Sequence, residues 1–344
     1  MSQYRPSRPT RRGVLGAGGA LGLGALLAAC GGSDAPGKGG PSQGDGGAWS
    51  FTDDRGRTVS LGSAPQRIVA FTGTAAALHD FGVDDRLVGV FGPTTLPDGS
   101  ADPQAGDLDV DRVEIIGNAY GEFSIEKYAS TRPQLLITNM YEPGALWFVP
   151  EESKSKIVEL APTLAIKSAR TSLKKIVVRY AELAAALGAD LKAPRVTDAR
   201  ARFEQASERL RKAAAANRRL RVLACSGSKD LFYASNPEVN ADLQYFRELG
   251  VNLVMPENLD KGGYFESLSW ENADTYDADL LLLDDRTATL QPEQLKAKPA
   301  WRALPAVRAG RITPWSSEPR FSYAGAAPLL ERLATAIEDA GKAG

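Results

Sequence analysis

The run "LKKIVVRYAELAAALG", residues 173–188, divides the chain. Leu173, Ile176, Val177, Tyr180, Leu183, Ala184 and Leu187 recur at steps of three and four. That spacing puts one apolar stripe on a helix of about four to five turns. Gly188 just past it is a stop signal, because glycine accepts the left-handed backbone that closes a helix. Before this helix, short apolar runs predict strands at 67–71, 87–90, 135–137 and 163–166, with helices at 74–81 and 124–131. After it come a helix at 197–216, a strand at 220–224 and a helix at 243–249. Strands at 280–283 and 311–315 and a closing helix at 325–340 follow. Strands alternating with helices argue for α/β layers.

The halves echo one another. "DFGVDDRLVGV" (80–90) answers "ELGVNLVMP" (248–256), and "FSIEKYASTRPQLLIT" (123–138) answers "LSWENADTYDADLLLL" (268–283). The second pair aligns Glu126 with Glu271. Two matched pairs in the same order predict two similar α/β lobes, 49–168 and 191–344, joined by a single long helix within 169–190.

The chain opens differently. Arg11-Arg12 precede a run from Gly13 to Ala29 in which six of seventeen residues are glycine. That is too short and too glycine-diluted for a spanning helix, which needs about 20 apolar residues. A charged start and a short apolar middle describe an export signal over 1–29, and the paired arginines point to the twin-arginine route. Leu27-Ala28-Ala29-Cys30 resembles a bacterial lipobox, so Cys30 is expected to be the first mature residue and to carry lipid; a plain secretory signal with a chance cysteine is the alternative. Residues 31–48 contain eight glycines and few apolar side chains. They cannot bury enough surface to order themselves and read as a tether.

Composition excludes several functions. The net charge is −1, which leaves no basic field for nucleic acid. With Cys30 lipidated, the second cysteine, Cys225, has no partner, and its apolar run makes it a buried inert thiol. The one histidine, His79, reads as structural, so His/Cys metal sites and histidine-based triads are nearly excluded. An exported hydrolase using Ser226 or Ser228 lacks a usable histidine.

Three further stretches carry a resemblance. "WSFTDDRGRTVSLGSAPQRIVAF" (49–71) has an Asp-x-x-Gly-Arg turn between short strands. "SIEKYASTRPQLLI" (124–137) is similar to a Ser-x-Glu…Pro-Asp-Leu-Ile element, with Gln134 where Asp is usual. "WRALPAVRAGRITPW" (301–315) leads into "LLERLATAI" (329–337). In this order they resemble the substrate-binding proteins of iron-siderophore and vitamin B12 ABC importers. The resemblance implies a ligand cleft between two lobes that move little. It implies partnership with a permease dimer and its cytoplasmic ATPase, and one docking glutamate per lobe, here Glu126 and Glu271. A lipid-anchored monomer on the extracytoplasmic face of the membrane is expected, with no cofactor.

Loops after core strands should face the ligand. "NMYEPGALWFVP" offers Tyr141, Trp147 and Phe148, and "SGSKDLFYASN" offers Phe232 and Tyr233. "KGGYFES" offers Tyr264 and Phe265, and "PWSSEPRFSYAG" offers Trp315, Arg320, Phe321 and Tyr323. Arg320 is the leading polar candidate, because a guanidinium donates bidentate bonds to chelate oxygens; pairing with Glu318 or an aspartate is its alternative. Lys229 and Arg286 are possible helpers. So few cations favour a ferric hydroxamate of low charge, ferrioxamine-like, with iron held by the chelator. Cobalamin or heme is the alternative ligand.

Overall fold

The computed structural model describes residues 47–342; the export segment and Cys30 lie outside the described residues. Strands β1 (Trp49–Thr52) and β2 (Thr58–Leu61) form the opening antiparallel hairpin. Its turn residue Asp53 accepts from the Ala165 amide at 3.0 Å, which ties the hairpin to the first lobe's sheet. That lobe runs β3 (Ile68–Phe71), α1 (Thr72–Asp80), β4 (Leu87–Phe91), β5 (Glu114–Gly117), α2 (Ile125–Ser130), β6 (Leu135–Met140), α3 (Lys154–Leu160) and β7 (Thr163–Lys167). Helices α4 (Leu173–Ala186) and α5 (Pro194–Ala216) follow. The second lobe runs β8 (Val222–Gly227), β9 (Leu231–Ser235), α6 (Ala241–Glu248), β10 (Phe265–Ser269) and β11 (Leu280–Asp284). Short helices α7 (Pro292–Leu295), α8 (Pro299–Ala303) and α9 (Pro305–Arg308) lead to β12 (Ile312–Trp315) and α10 (Tyr323–Lys342).

The two sheets share one plan. The first has the order β5-β4-β3-β6-β7, and the second β10-β9-β8-β11-β12, each number raised by five. All neighbours in the first are parallel, whereas β9 runs antiparallel to β8 and β10. The echoed segments occupy matching places. Val83 closes the end of α1 by a bond to Leu78, and Val251 closes α6 by a bond to Phe246; Gly82 and Gly250 sit between at φ +98° and +94°. The chain then pairs beside each lobe's first strand, Leu87 with Ile68 and Leu253 with Val222.

Helix α4 joins the lobes through its buried stripe. Leu173, Ile176, Val177, Tyr180 and Leu183 are at most 1% exposed. Burying each such side chain contributes about 1.5–3 kcal/mol. The Tyr180 hydroxyl donates to Asn139 Oδ1 of β6, and its ring stacks on Phe321 of the second lobe at 5.9 Å. One hydrophobic cluster therefore includes residues from both lobes. At the helix's end, Gly188 lies at φ +93° and Ala189 bonds back to the Ala184 carbonyl, as the stop signal predicts. The Trp49 indole caps another open carbonyl, that of Ala186, at 2.7 Å. Among the described residues, no helix is long and apolar enough to cross a membrane.

Two stretches read as post-strand loops are strands. "LFYAS" and "FESLS" pair as β9 and β10. Their period-2 alternation is brief and flanked by Gly, Ser and Asp, which mask it as a turn-rich loop.

Candidate functional site

The carboxyl ends of the parallel strands face one another across the lobe junction, where open α/β sheets bind ligands. A cleft of about 270 Å³ lies there. From the first lobe it takes Pro93 after β4, Asp102, Pro103 and Gln104, Tyr120 after β5, and Trp147 and Phe148 after β6. From the second it takes Asp285, Arg286, Thr287 and Ala288 after β11, and Ser316 and Glu318 after β12.

One wall is aromatic. Trp147 packs on Tyr141 at 4.8 Å and on Phe148 at 5.5 Å, and Tyr120 meets Phe148 at 5.4 Å. Phe148 holds φ +59°, rare for a bulky residue, and that backbone turn places its ring between Phe71 and Tyr120. Tyr120 is 74% exposed, an aromatic ring with open space beside it. Below Trp147, burial and the Glu318 charge hold the Tyr141 phenol well above its ordinary pKa, and its hydroxyl is buried without a partner.

The other wall is polar. Arg286 meets Asp284 at 2.7 Å and Glu318 at 2.6 Å. Burial works against its charge, but bonds to these two acids outweigh it and raise the guanidinium pKa. Its side chain is still 41% exposed, so one edge remains open to the cleft. Glu318 also accepts from the Trp147 indole at 3.1 Å and the Gln104 amide at 3.4 Å, crossing between lobes. At another point of the junction, the Tyr264 hydroxyl donates to the Tyr141 carbonyl at 3.0 Å, and Arg170 reaches the Gly262 carbonyl at 2.5 Å.

Trp147 of the expected set lines the cleft, Tyr141 supports it, and Tyr264 fastens the junction beside it. The others need correction. Phe232 is fully buried against Trp270, because alternation along β9 turns it into the core. Tyr233, on the opposite face, bonds Ser228 at 3.3 Å and packs on Phe265 at 4.9 Å. Trp315 is 3% exposed and donates to Asp242 Oδ2 at 2.5 Å. Phe321 is 1% exposed beside Tyr180, and Tyr323 packs between Phe81 and Phe203. Arg320 is a strut between lobes: it approaches Asp80 at 3.6 Å and lies over Gly106, where a Cβ would sit 1.8 Å from its Nη1. Lys229 is exposed and linked through its carbonyl to Lys298, outside the cleft lining.

Tyr120, Gln104, Asp102, Asp285 and Glu318 were not read as ligand-facing. Tyr120 follows a strand of four residues, "EIIG", too short to stand out; with β5 recognised, the post-strand rule finds it. Gln104 sits in a one-turn 3-10 helix whose Asp102 cap gives no sign of a cleft.

Cys225 is fully buried, and burial raises its thiol pKa. His79 Nδ1 pairs with Asp84 at 2.7 Å. Among the described residues, no three His, Cys, Asp or Glu side chains are grouped to hold a metal. Glu126 and Glu271 are both exposed, in the first turns of α2 and of a 3-10 helix at Trp270–Asn272. Bonds to its own amide and to Ser269 lower the Glu271 carboxyl.

Several solved structures share this architecture. The DesE ferric-siderophore receptor protein of Streptomyces coelicolor is 53% identical, with a TM-score of 0.82 over 85% of this chain and 98% of that one. The petrobactin-binding protein YclQ of Bacillus subtilis is 18% identical, with a TM-score of 0.62 over 86% and 99%. The siderophore periplasmic binding protein from the fuscachelin gene cluster of Thermobifida fusca is 21% identical, with a TM-score of 0.57 over 80% and 98%. No curated protein sequence matches. A family model described as periplasmic binding protein matches residues 68–319, from β3 into the loop after β12, and the chain belongs to that family.

Proposed function

We propose that the chain captures a ferric siderophore of the hydroxamate class in the interlobe cleft and delivers it to an ABC importer. The relative at 53% identity is a ferric-siderophore receptor, which supports the siderophore part. The cleft wall carries the hydroxamate part. Tyr120, Trp147 and Phe148 offer broad apolar contact, while Arg286, the single lining cation among the described residues, is already matched by Asp284 and Glu318. A hydroxamate chelate has an apolar backbone and little net charge, and it suits such a wall. A catecholate chelate carries a large negative charge and would face the open carboxylate of Asp285, while the cation beside it, Arg286, is held by Asp284 and Glu318. Arg286's open edge donates to a chelate oxygen, and the iron stays within the chelator as cargo.

The role is binding rather than catalysis. Ser228, the serine of the hydrolase reading, is held by Tyr233 and the β9 backbone, and His79 lies on the other lobe. Cys30 with its tether would hold the body at the membrane after twin-arginine export. Glu126 and Glu271, at matching places in two lobes of one plan, would meet paired arginines of a twofold permease. Tryptophan fluorescence titration with ferrioxamine B, a ferric catecholate, heme and cobalamin tests the ligand class. Saturable quenching by ferrioxamine B alone is expected; saturation by another of the four, without ferrioxamine B, overturns the hydroxamate reading.

A further inference from the structure

The cleft is short of positive charge. Among the described residues, Asp102, Asp285 and Glu318 line it as acids, and Arg286 alone as a base. Arg286 is matched by Asp284 and Glu318. Asp102 faces inward to cap the Gln104 amide at 2.8 Å. Asp285 is different: it is exposed on the cleft, and among the described residues its side chain makes no hydrogen bond or ion pair with another side chain. Desolvation raises its carboxyl above the ordinary value; Arg332 acts against that shift, and Asp284 adds to it.

A second group has the same need. The Gln104 Nε2 faces the Glu318 carboxylate, which fixes the amide, since oxygen in that place would meet oxygen. Its Oε1 is then buried with no donor. An acceptor left without a donor is costly, and it adds to the negative potential at the cleft's edge. The faces of Tyr120 and Trp147 also attract a cation.

We propose that the cleft sorts ferric hydroxamates by charge, taking a chelate whose free arm ends in an ammonium over a neutral or carboxylate-ended one, with Asp285 as the group that meets the cation. This rests on the hydroxamate reading above. Asp285 is open to water, so the preference is moderate and screened by salt. An ammonium-ended chelate should bind about two- to fivefold tighter than its neutral counterpart.

Three chelates with one iron-binding core test this: ferrioxamine B, with its free ammonium, and its N-acetyl and N-succinyl derivatives. Each is titrated calorimetrically into the wild-type chain and Asp285→Asn at low and high salt. The expected order is ammonium, acetyl, succinyl, with the spread narrowing in high salt and collapsing in Asp285→Asn. Equal affinities for all three overturn charge sorting while leaving hydroxamate binding intact. A preference that survives unchanged in Asp285→Asn overturns the assignment to Asp285. No binding of any of the three, by a chain that melts cooperatively, defeats the hydroxamate reading itself.

Discussion

Arg286 and Arg320 are both loop arginines after strands of the second sheet, and their surroundings give them different work. Arg286 keeps an open edge on the cleft; Arg320 is 19% exposed and braces Asp80 across the junction. Arg286→Ala should weaken ferrioxamine B binding about tenfold, the loss of a charged hydrogen bond. Arg320→Ala should cost about 1–3 kcal/mol of stability by leaving Asp80 buried with only Ser322. Arg286→Ala also leaves Asp284 buried without its cation and loses stability, so titration checks the split; weakened binding in Arg320→Ala with unchanged binding in Arg286→Ala would return Arg320 to the ligand. Sequence could not make this distinction, because it depends on Gly106, far away in the chain, leaving room for the guanidinium. Asp242 was equally invisible. Burial beneath Trp315 pushes its carboxyl from 3.8 to about 7. Between about pH 4 and 7 the folded chain keeps a proton that the unfolded chain has lost, so stability falls as pH rises through that window. A shift of that size is on the order of 4 kcal/mol. Asp242→Asn should therefore gain stability over wild type from pH 4.5 to 7.5 in denaturant titrations, and parallel curves would refute the shifted carboxyl.

Helices α1, α4 and α6 stop in the same way, at Gly82, Gly188 and Gly250, all at positive φ near +95°. Gly188 and the paired echoes marked these stops in the sequence because helix ends are local: one residue must turn left-handed, and glycine does so without strain. Gly250→Ala isolates that cost, since its nearest neighbour, the Ala214 methyl, is 3.9 Å from the new Cβ. About 1–2 kcal/mol of destabilisation by urea denaturation is expected; an unchanged midpoint would mean the backbone relaxes freely. Long periodic elements such as α4, α5 and α10 were legible for the same local reason. The antiparallel pair β9–β10 was not, because its pairing joins residues separated by the whole of α6. That error misplaced Phe232, which is fully buried, as a ligand group.

Two sheets of one order, bound through α4's buried stripe and the contacts of Tyr180, make a preformed cleft whose lobes have little freedom to part. The echo of Glu126 and Glu271 was readable in sequence, and both lie exposed. Glu126→Ala with Glu271→Ala should leave melting and chelate titration near wild type while abolishing cellular uptake; normal uptake at equal expression would remove the docking role. The cleft itself was only partly legible: the loops after β6 and β12 and the side chain of Arg286 were named, but the residues that meet come from six separate stretches, and only folding shows which side chains converge. Calorimetric titration of ferrioxamine B into the wild-type chain and into Tyr120→Ala with Trp147→Ala joins that geometry to the proposed function. One chelate should bind per wild-type chain, with affinity at least tenfold lower in the double variant, through lost apolar contact area and the lost indole bond to Glu318. The same affinity in both would place the ligand outside the cleft.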